Sequence, residues 1–73
     1  MSILNFFRSK PIWIKYINPD GTLGGDVASD AIIHKSVIVE AGALVAPRVT
    51  LYENDRVLSG ELVIDSNVRI RID

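Results

Sequence analysis

An aliphatic residue recurs at every sixth position of this chain for seven positions in a row. These positions are Val27, Ile33, Val39, Val45, Leu51, Val57 and Val63. A period of six matches neither the 3.6-residue period of a helix nor the two-residue period of a flat strand, although it can contain short strands. Fixed hexapeptide repeats are typical of parallel β-helices, in which short strands stack coil upon coil. The repeat therefore predicts an all-β fold of stacked short strands.

The fourth position after each aliphatic anchor changes in character along the chain. It holds Ala31, Val37, Ala43 and Val49 in the first hexads and Asp55, Glu61 and Asn67 in the later ones. A lone carboxylate is costly to bury, so we expect the second half to be irregular, open-ended or turned toward solvent. The two residues before each of these positions, such as Ala41-Gly42 and Ser59-Gly60, are of types that favour turns.

The pattern resembles the left-handed parallel β-helix of the hexapeptide-repeat superfamily, in which an aliphatic residue is followed four places later by a small one. The resemblance covers roughly residues 21 to 70. It is closest to small bacterial and phage proteins with degenerate repeats, some of which have a Gly-Gly lead-in similar to Gly24-Gly25. It implies three hexads per coil, so that residues eighteen apart stack, and a short helix of about two coils.

A small antiparallel β-barrel is the alternative fold. Ser59-Gly60 and Asp65-Ser66-Asn67 separate apolar segments in the second half, and both are suitable hairpin turns. Seven unbroken anchors favour the β-helix.

Residues 1–25 are predicted to form a cap, followed by the repeat domain over residues 26–73. Residues 2–10 suit a short helix that ends before Pro11, and residues 12–17 alternate like a β-strand. Asn18-Pro19-Asp20-Gly21 then has the composition of a tight turn, and Gly24-Gly25 is expected to be a second break.

The aromatic residues of the N-terminal segment have two interpretations. Phe6, Phe7 and Trp13 are expected to cover the open first coil, since a solenoid needs capping. With Arg8 and Lys10 they could instead anchor the chain at a membrane surface, as in polymer-forming β-helix scaffolds. The cap is the preferred interpretation.

Composition narrows the class of protein. The 73 residues suit one domain, and the absence of cysteine excludes thiolate chemistry. A net charge of −1 with interspersed signs is not that of a nucleic-acid-binding surface. No apolar run approaches the length of a membrane span, and a cytoplasmic location is expected.

A hydrophobic content of 48% is high for so small a chain and indicates a partner subunit. If residues eighteen apart stack, one outward face carries only apolar residues: Ala28, Leu44, Ala46, Leu62 and Ile64. We predict a homo-oligomer, with a trimer favoured, that assembles through Leu44, Ala46, Leu62 and Ile64. The second face is expected to carry Ile32, His34, Thr50, Tyr52, Val68 and Ile70, and the third Ile38, Glu40, Arg56 and Leu58.

Candidate chemistry rests on few residues. The superfamily includes acyltransferases with a catalytic histidine, which makes His34, the only histidine, the candidate general base. A surface or interface residue beside Tyr52 is the simpler interpretation, because 73 residues leave no room for an acyl-carrier cleft. The metal-dependent carbonic anhydrases of the superfamily need three histidines per site, so no metal is expected. Repeat decay explains the pair Asp55 and Glu61 better than paired catalytic carboxylates do.

The sequence thus predicts a non-enzymatic, homo-oligomeric β-helix module without a cofactor, acting as a structural or binding protein. A phage-type accessory protein that captures a host protein or a small anionic ligand would fit. Candidate ligand-binding residues are Lys35, Tyr52, Arg69 and Arg71. The alternatives are a degenerate acyltransferase-like enzyme using His34 and a membrane-attached, polymer-forming scaffold.

Overall fold

The computed structural model describes residues 12 to 72, which form nine β-strands and no helix. The strands are β1 (Trp13–Ile17), β2 (Leu23–Ala28), β3 (Ile32–Ile33), β4 (Ile38–Val39), β5 (Leu44–Val45), β6 (Thr50–Leu51), β7 (Arg56–Val57), β8 (Glu61–Asp65) and β9 (Val68–Arg71). Five of them are only two residues long, as a hexapeptide period requires. The prediction of an all-β fold is confirmed, whereas the predicted helix over residues 2–10 lies outside the described residues.

The strands pair in parallel with the register that the repeat predicts. Val27 lies opposite Val45, which in turn lies opposite Val63. Ile33 pairs with Leu51, and the same eighteen-residue offset joins β4 to β7. Successive eighteen-residue segments of the chain therefore place their aliphatic anchors directly beside one another.

These pairs form three sheets of unequal size. One sheet has five strands in the order β1-β2-β5-β8-β9, and the pairs β3-β6 and β4-β7 form two more. Only the outermost pairs of the large sheet, β1-β2 and β8-β9, are antiparallel. The described strands do not close into a barrel, so the antiparallel barrel is not the fold.

The core consists of the aliphatic anchors and of the apolar residues four positions after them. Val39, Val45, Leu51, Val57 and Val63 are almost completely buried. Val37, Ala43 and Val49, which hold the fourth position after an anchor, join the same cluster. At about 1.5–3 kcal/mol for each fully buried aliphatic side chain, this cluster is the main stabilising element of so small a chain.

The acidic residues at the fourth position do not interrupt the repeat. Asp55 accepts a hydrogen bond from the Tyr52 main-chain N–H at 2.7 Å, and Glu61 accepts one from the Leu58 N–H at 2.8 Å. Both side chains are half-buried and satisfied at a turn, which removes the cost of burying them. The parallel strands therefore continue regularly through β7 and β8.

The repeat ends after β8, earlier than its period predicts. Asp65-Ser66-Asn67 reverses the chain, and β9 returns antiparallel to β8, with Ile70 opposite Leu62. The prediction that Val68 and Ile70 stack on the face of Ile32 and Tyr52 is therefore wrong. At this position the hairpin turn considered for the barrel is the observed structure.

Gly24 and Gly25 lie inside β2 and are not the predicted break. A Cβ at Gly24 would lie 2.1 Å from the Val39 carbonyl oxygen, and one at Gly25 would lie 2.1 Å from the Ala43 carbonyl oxygen. Glycine is needed at both positions because main-chain carbonyl groups approach β2 too closely here to leave room for a Cβ atom.

Positive φ angles occur at four corners: Gly42, Arg48, Asn54 and Gly60. Three of these residues donate their main-chain N–H to an acceptor eighteen residues earlier. The bonds are Arg48 to Asp30 Oδ1 at 3.1 Å, Asn54 to Ser36 Oγ at 2.9 Å and Gly60 to the Gly42 oxygen at 3.3 Å. The corners are thus cross-linked in the same direction as the hydrogen bonds between the paired strands.

Arg48 is the strained corner, because its φ of 62° suits glycine or asparagine and not a long side chain. Replacing it with glycine keeps the N–H that bonds Asp30 and relieves roughly 1 kcal/mol of backbone strain. We expect Arg48→Gly to raise the Tm by about 4–8 °C in thermal unfolding. Arg48→Ala is the control, since it removes the same charge without relieving φ. An equal rise of Tm in both variants would contradict the interpretation that backbone strain at Arg48 lowers the stability.

Candidate functional site

The two ends of the stacked strands differ from the regular middle, because specific side-chain hydrogen bonds cover strand edges there. At the N-terminal end, β1 covers the edge of β2, with Ile14 opposite Val27. Asn18, which is buried, covers the edge of β4: its amide nitrogen donates to the Val39 oxygen at 3.1 Å, and its side-chain oxygen accepts the Val39 N–H at 2.8 Å. The Asn18 side chain thus makes the two hydrogen bonds to Val39 that a neighbouring strand would make.

Tyr16 also covers part of the core at this end. Its ring packs against the core cluster, and its hydroxyl donates to the Val37 carbonyl oxygen at 2.9 Å. Burial raises the pKa of the Tyr16 phenol above its ordinary value. The predicted turn positions both residues, since Gly21 has a φ of 87° and donates its N–H to the Asn18 oxygen at 2.8 Å.

The C-terminal end is closed by equivalent devices. Strand β9 covers the edge of β8. The Arg69 guanidinium donates to the Arg56 carbonyl oxygen on the edge of β7, and it lies 3.7 Å from a Glu61 carboxylate oxygen. The Ser66 hydroxyl accepts the Thr50 N–H on the edge of β6 at 3.3 Å. Arg69, a candidate ligand-binding residue, therefore has a structural role at this edge.

Asn18 is the residue at these ends that sequence reasoning missed. The Asn-Pro-Asp-Gly pattern indicates a turn, but it does not show that the asparagine side chain will reach a strand twenty-one residues away. Tyr16 was missed for the same reason. The only available signal was a polar residue placed directly after a strand that precedes the first coil.

We predict that Asn18→Ala destabilises the protein more than an exposed alanine substitution does. Two buried main-chain groups of Val39 lose their partners, at a cost of about 1–3 kcal/mol for each unsatisfied group. The Tm should fall by roughly 4–8 °C for each kcal/mol. Asn18→Asp keeps an acceptor for the Val39 N–H but faces its carbonyl with a second oxygen, so it should also be destabilised. A change of Tm no larger than that of an Asn67→Ala control would refute the stabilising role of the Asn18 side chain at the edge of β4.

His34 belongs to a corner between β3 and β4. Its Nδ1 accepts the Ser36 N–H at 3.1 Å and lies 2.8 Å from the Ser36 hydroxyl oxygen. That hydroxyl oxygen also accepts the Asn54 N–H from the next coil. The exposed imidazole thus helps to order a turn.

The four candidate ligand-binding residues do not form one group within the chain. Lys35 and Tyr52 are exposed on the side of the chain formed by β3 and β6. Arg69 and Arg71 lie on β9, in the five-stranded sheet at the C-terminal end. A single anion contacting all four would require a second subunit to bring the two groups together.

The predicted oligomer face is more buried and less uniformly apolar than expected. Leu44, Ala46 and Leu62 are only 8%, 2% and 2% exposed in the single chain, whereas Ile64 is 39% exposed. Asp26 lies opposite Leu44 on the same face, with its carboxylate 3.2 Å from the Lys15 ammonium. The face was expected to be exposed and free of charge, and both expectations are wrong for its centre.

The apolar surface that remains exposed lies at one side of this face. Ile70 is opposite Leu62, so both side chains are on the same side of the sheet. Val68 follows the same alternation, and Ile64 is two residues beyond Leu62. Ile64, Val68 and Ile70 are all exposed and form what we call the β8–β9 patch.

A polar network occupies the face of β4 and β7. Glu40 Oε1 accepts the Ser59 N–H at 3.1 Å, and Oε2 accepts two hydrogen bonds from the Arg56 guanidinium at 2.9 and 3.1 Å. The Ser59 N–H and, next, the Arg56 guanidinium hold the pKa of the Glu40 carboxyl below its ordinary value. The network fixes the corner between β7 and β8.

The lowered pKa predicts an acid-dependent loss of stability. A carboxyl whose pKa is lower in the folded chain contributes stability above its unfolded pKa, and that contribution is lost as pH falls through the folded pKa. Glu40→Gln keeps an acceptor for Ser59 but carries no charge. The wild type should therefore have the higher Tm at pH 7, and the difference should vanish well below pH 4.5, the ordinary value for Glu40. A Tm difference independent of pH would contradict this. The pKa of Asp20 is also lowered, by its hydrogen bonds to Thr22. Because Asp20 is present in both the wild type and Glu40→Gln, its effect on the Tm is the same in the two proteins and does not contribute to the difference.

Comparisons with protein-family models, with curated proteins and with solved structures found no match to this chain. Among residues 12 to 72, no helix is long and apolar enough to cross a membrane. Within the same residues, histidine, aspartate and glutamate side chains form no group of three that could hold a metal ion.

Proposed function

We propose that this chain is a left-handed β-helix module of about two coils that acts as a non-enzymatic structural or binding protein and assembles into a homo-oligomer. The eighteen-residue register of its parallel pairs, repeated on three sheets, supports the β-helix. The handedness is inferred from the resemblance of the repeat to the hexapeptide-repeat superfamily.

The observation that carries the function is the amount of apolar surface left exposed. Eleven large apolar side chains among the described residues are exposed: Ile12, Ile14, Ile17, Leu23, Ile32, Ile38, Tyr52, Leu58, Ile64, Val68 and Ile70. Contiguous exposed apolar surface on a small protein marks interaction sites. Such a surface is expected in a protein that functions by binding other subunits or partners.

The role of His34 also favours a non-enzymatic module. A general base needs a free nitrogen within reach of the proton it removes and a third group to orient it. Because Nδ1 of His34 accepts the Ser36 N–H, the proton of the neutral ring is on Nε2, which leaves neither nitrogen a free lone pair to remove a substrate proton.

The β8–β9 patch is the centre of the proposed self-association. It continues the predicted interface of Leu44, Ala46, Leu62 and Ile64, because Ile64 belongs to both and Ile70 lies opposite Leu62. A trimer is the favoured assembly. A small anionic ligand or a captured protein is the favoured partner class if the oligomer has a further binding role.

The test is the double variant Ile64→Asp with Ile70→Asp. Both side chains are exposed, so the charges should be tolerated in the monomer, but they would be unpaired in an interface. We expect the dissociation constant of the oligomer to rise at least tenfold, a change of about 1.4 kcal/mol. Native mass spectrometry gives the subunit count and any retained ligand, and light scattering gives the mass in solution.

Leu23→Asp is the control, since Leu23 is also exposed, at 62% against 39% for Ile64 and 43% for Ile70, but lies on the β1–β2 hairpin. It should leave the oligomer intact. A wild type that is monomeric at micromolar concentration would overturn the proposal of self-association. An oligomer that both sets of substitutions weaken equally would place the interface elsewhere.

A further inference from the structure

The outward leucines of the five-stranded sheet are buried, whereas outward aliphatic residues at the same position of the repeat are exposed on the other two sheets. The residue directly before each aliphatic anchor points outward, because strand side chains alternate. At this position Ile32 is 67% exposed and Ile38 is 36% exposed. Leu44 and Leu62 hold the same position on the five-stranded sheet but are only 8% and 2% exposed. The outer side of this sheet is therefore covered at its middle.

The strands in the described part of the chain do not supply this cover. The two small sheets meet the inner side instead, because Leu51 and Val57 belong to the same core cluster as Val45. Strands β5 and β9 lie beside β8 within its own sheet, so their side chains border Leu62 laterally and do not lie over it. Ile70, which is opposite Leu62 on β9, is itself 43% exposed.

The chain enters β1 on the covered side of this sheet. Trp13 is opposite Ala28, and both side chains are on the outer side. Strand β8 is the third strand from β1, which is a distance of about 14 Å at 4.8 Å per strand. Eleven residues span about 16 Å as a helix and more when extended. Residues 1–11, which precede β1, are thus long enough to reach Leu62.

We propose that residues 1–11 pack on this outer side and keep a second copy of the chain from binding there. Four of them are large and apolar: Ile3, Leu4, Phe6 and Phe7. Such side chains match a surface centred on Leu44 and Leu62, because both partners leave water when they meet. The two leucines are buried in the single chain, so the contact that covers them is intramolecular.

The consequence is an autoinhibitory contact. Leu44 and Leu62 belong to the face predicted for the oligomer, and the β8–β9 patch lies next to Leu62 and stays exposed. While residues 1–11 are in place, a second copy meets only the patch. Their displacement extends the apolar surface to the middle of the sheet. This consequence rests on the proposed self-association, whereas the intramolecular contact does not depend on it.

Nuclear Overhauser effects (NOEs) in the full chain test the contact directly. In uniformly ¹³C-labelled protein, we expect NOEs from the Phe6 and Phe7 rings to the methyl groups of Leu44 and Leu62. A second sample of labelled and unlabelled chains, unfolded and refolded together, reports only contacts between chains, and the same NOEs should be absent from it. Their absence from the first sample, or their presence in the second, would overturn the proposal. Ring NOEs to Ile14 alone would also overturn it, because they would place the segment over the first coil.

The double variant Phe6→Ser with Phe7→Ser tests the autoinhibition. Sedimentation equilibrium should give a dissociation constant for its self-association at least tenfold lower than that of the wild type, because the leucines become accessible. Ile32→Ser, which removes an exposed aliphatic side chain from another sheet, is the control and should leave the constant unchanged. Unchanged or weaker association of the double variant, or equal strengthening by the control, would overturn the autoinhibition. A monomeric wild type with the intramolecular NOEs would refute its self-association and support the covering contact.

Discussion

The eighteen-residue parallel register is the constraint on which the rest of this structure depends. It places the aliphatic anchors beside one another, Val27 by Val45 and Val45 by Val63. It also decides where each corner N–H finds its acceptor, as in the bond from Asn54 to Ser36. A slip of one residue would turn the anchors to solvent and break the corner bonds together. Core and corners therefore stabilise the same register.

A stack this short makes its ends as important as its interior. The first and last strands of the stack would have edges with unpaired main-chain groups if nothing covered them, and there is little regular structure between them. The chain reverses direction at both ends to cover the large sheet, and it uses Asn18 and Arg69 where no strand is available. Covering these edges also works against end-to-end association, which open β-edges favour. The ends therefore determine which contacts the protein makes along its axis.

The sequence predicted the parts of this fold that repeat and missed the parts that do not. The hexad period predicts the core and the short strands, because both follow from side-chain alternation, whereas the stacking partners follow from the three hexads per coil that the resemblance implies. The positive φ of Gly42 and Gly60 follows from residue type, whereas Arg48 adopts the same conformation only because its corner stacks on Asp30. The reversal at Asp65-Ser66-Asn67 was considered only as part of another fold. Periodicity cannot show where a repeat stops.

The candidate site was harder to predict than the fold, for a physical reason. Exposure at the surface depends on what the irregular ends cover, and these ends are set by long-range contacts such as that between Tyr16 and Val37. Leu44 and Leu62 were therefore placed on the correct face but with the wrong exposure. Open edges and exposed aliphatic residues are the features that remain once the repeat has satisfied its own hydrogen bonds. In a protein whose interior is nearly all aliphatic, specificity for partners has to come from these surfaces, because the core offers no polar group to recognise them.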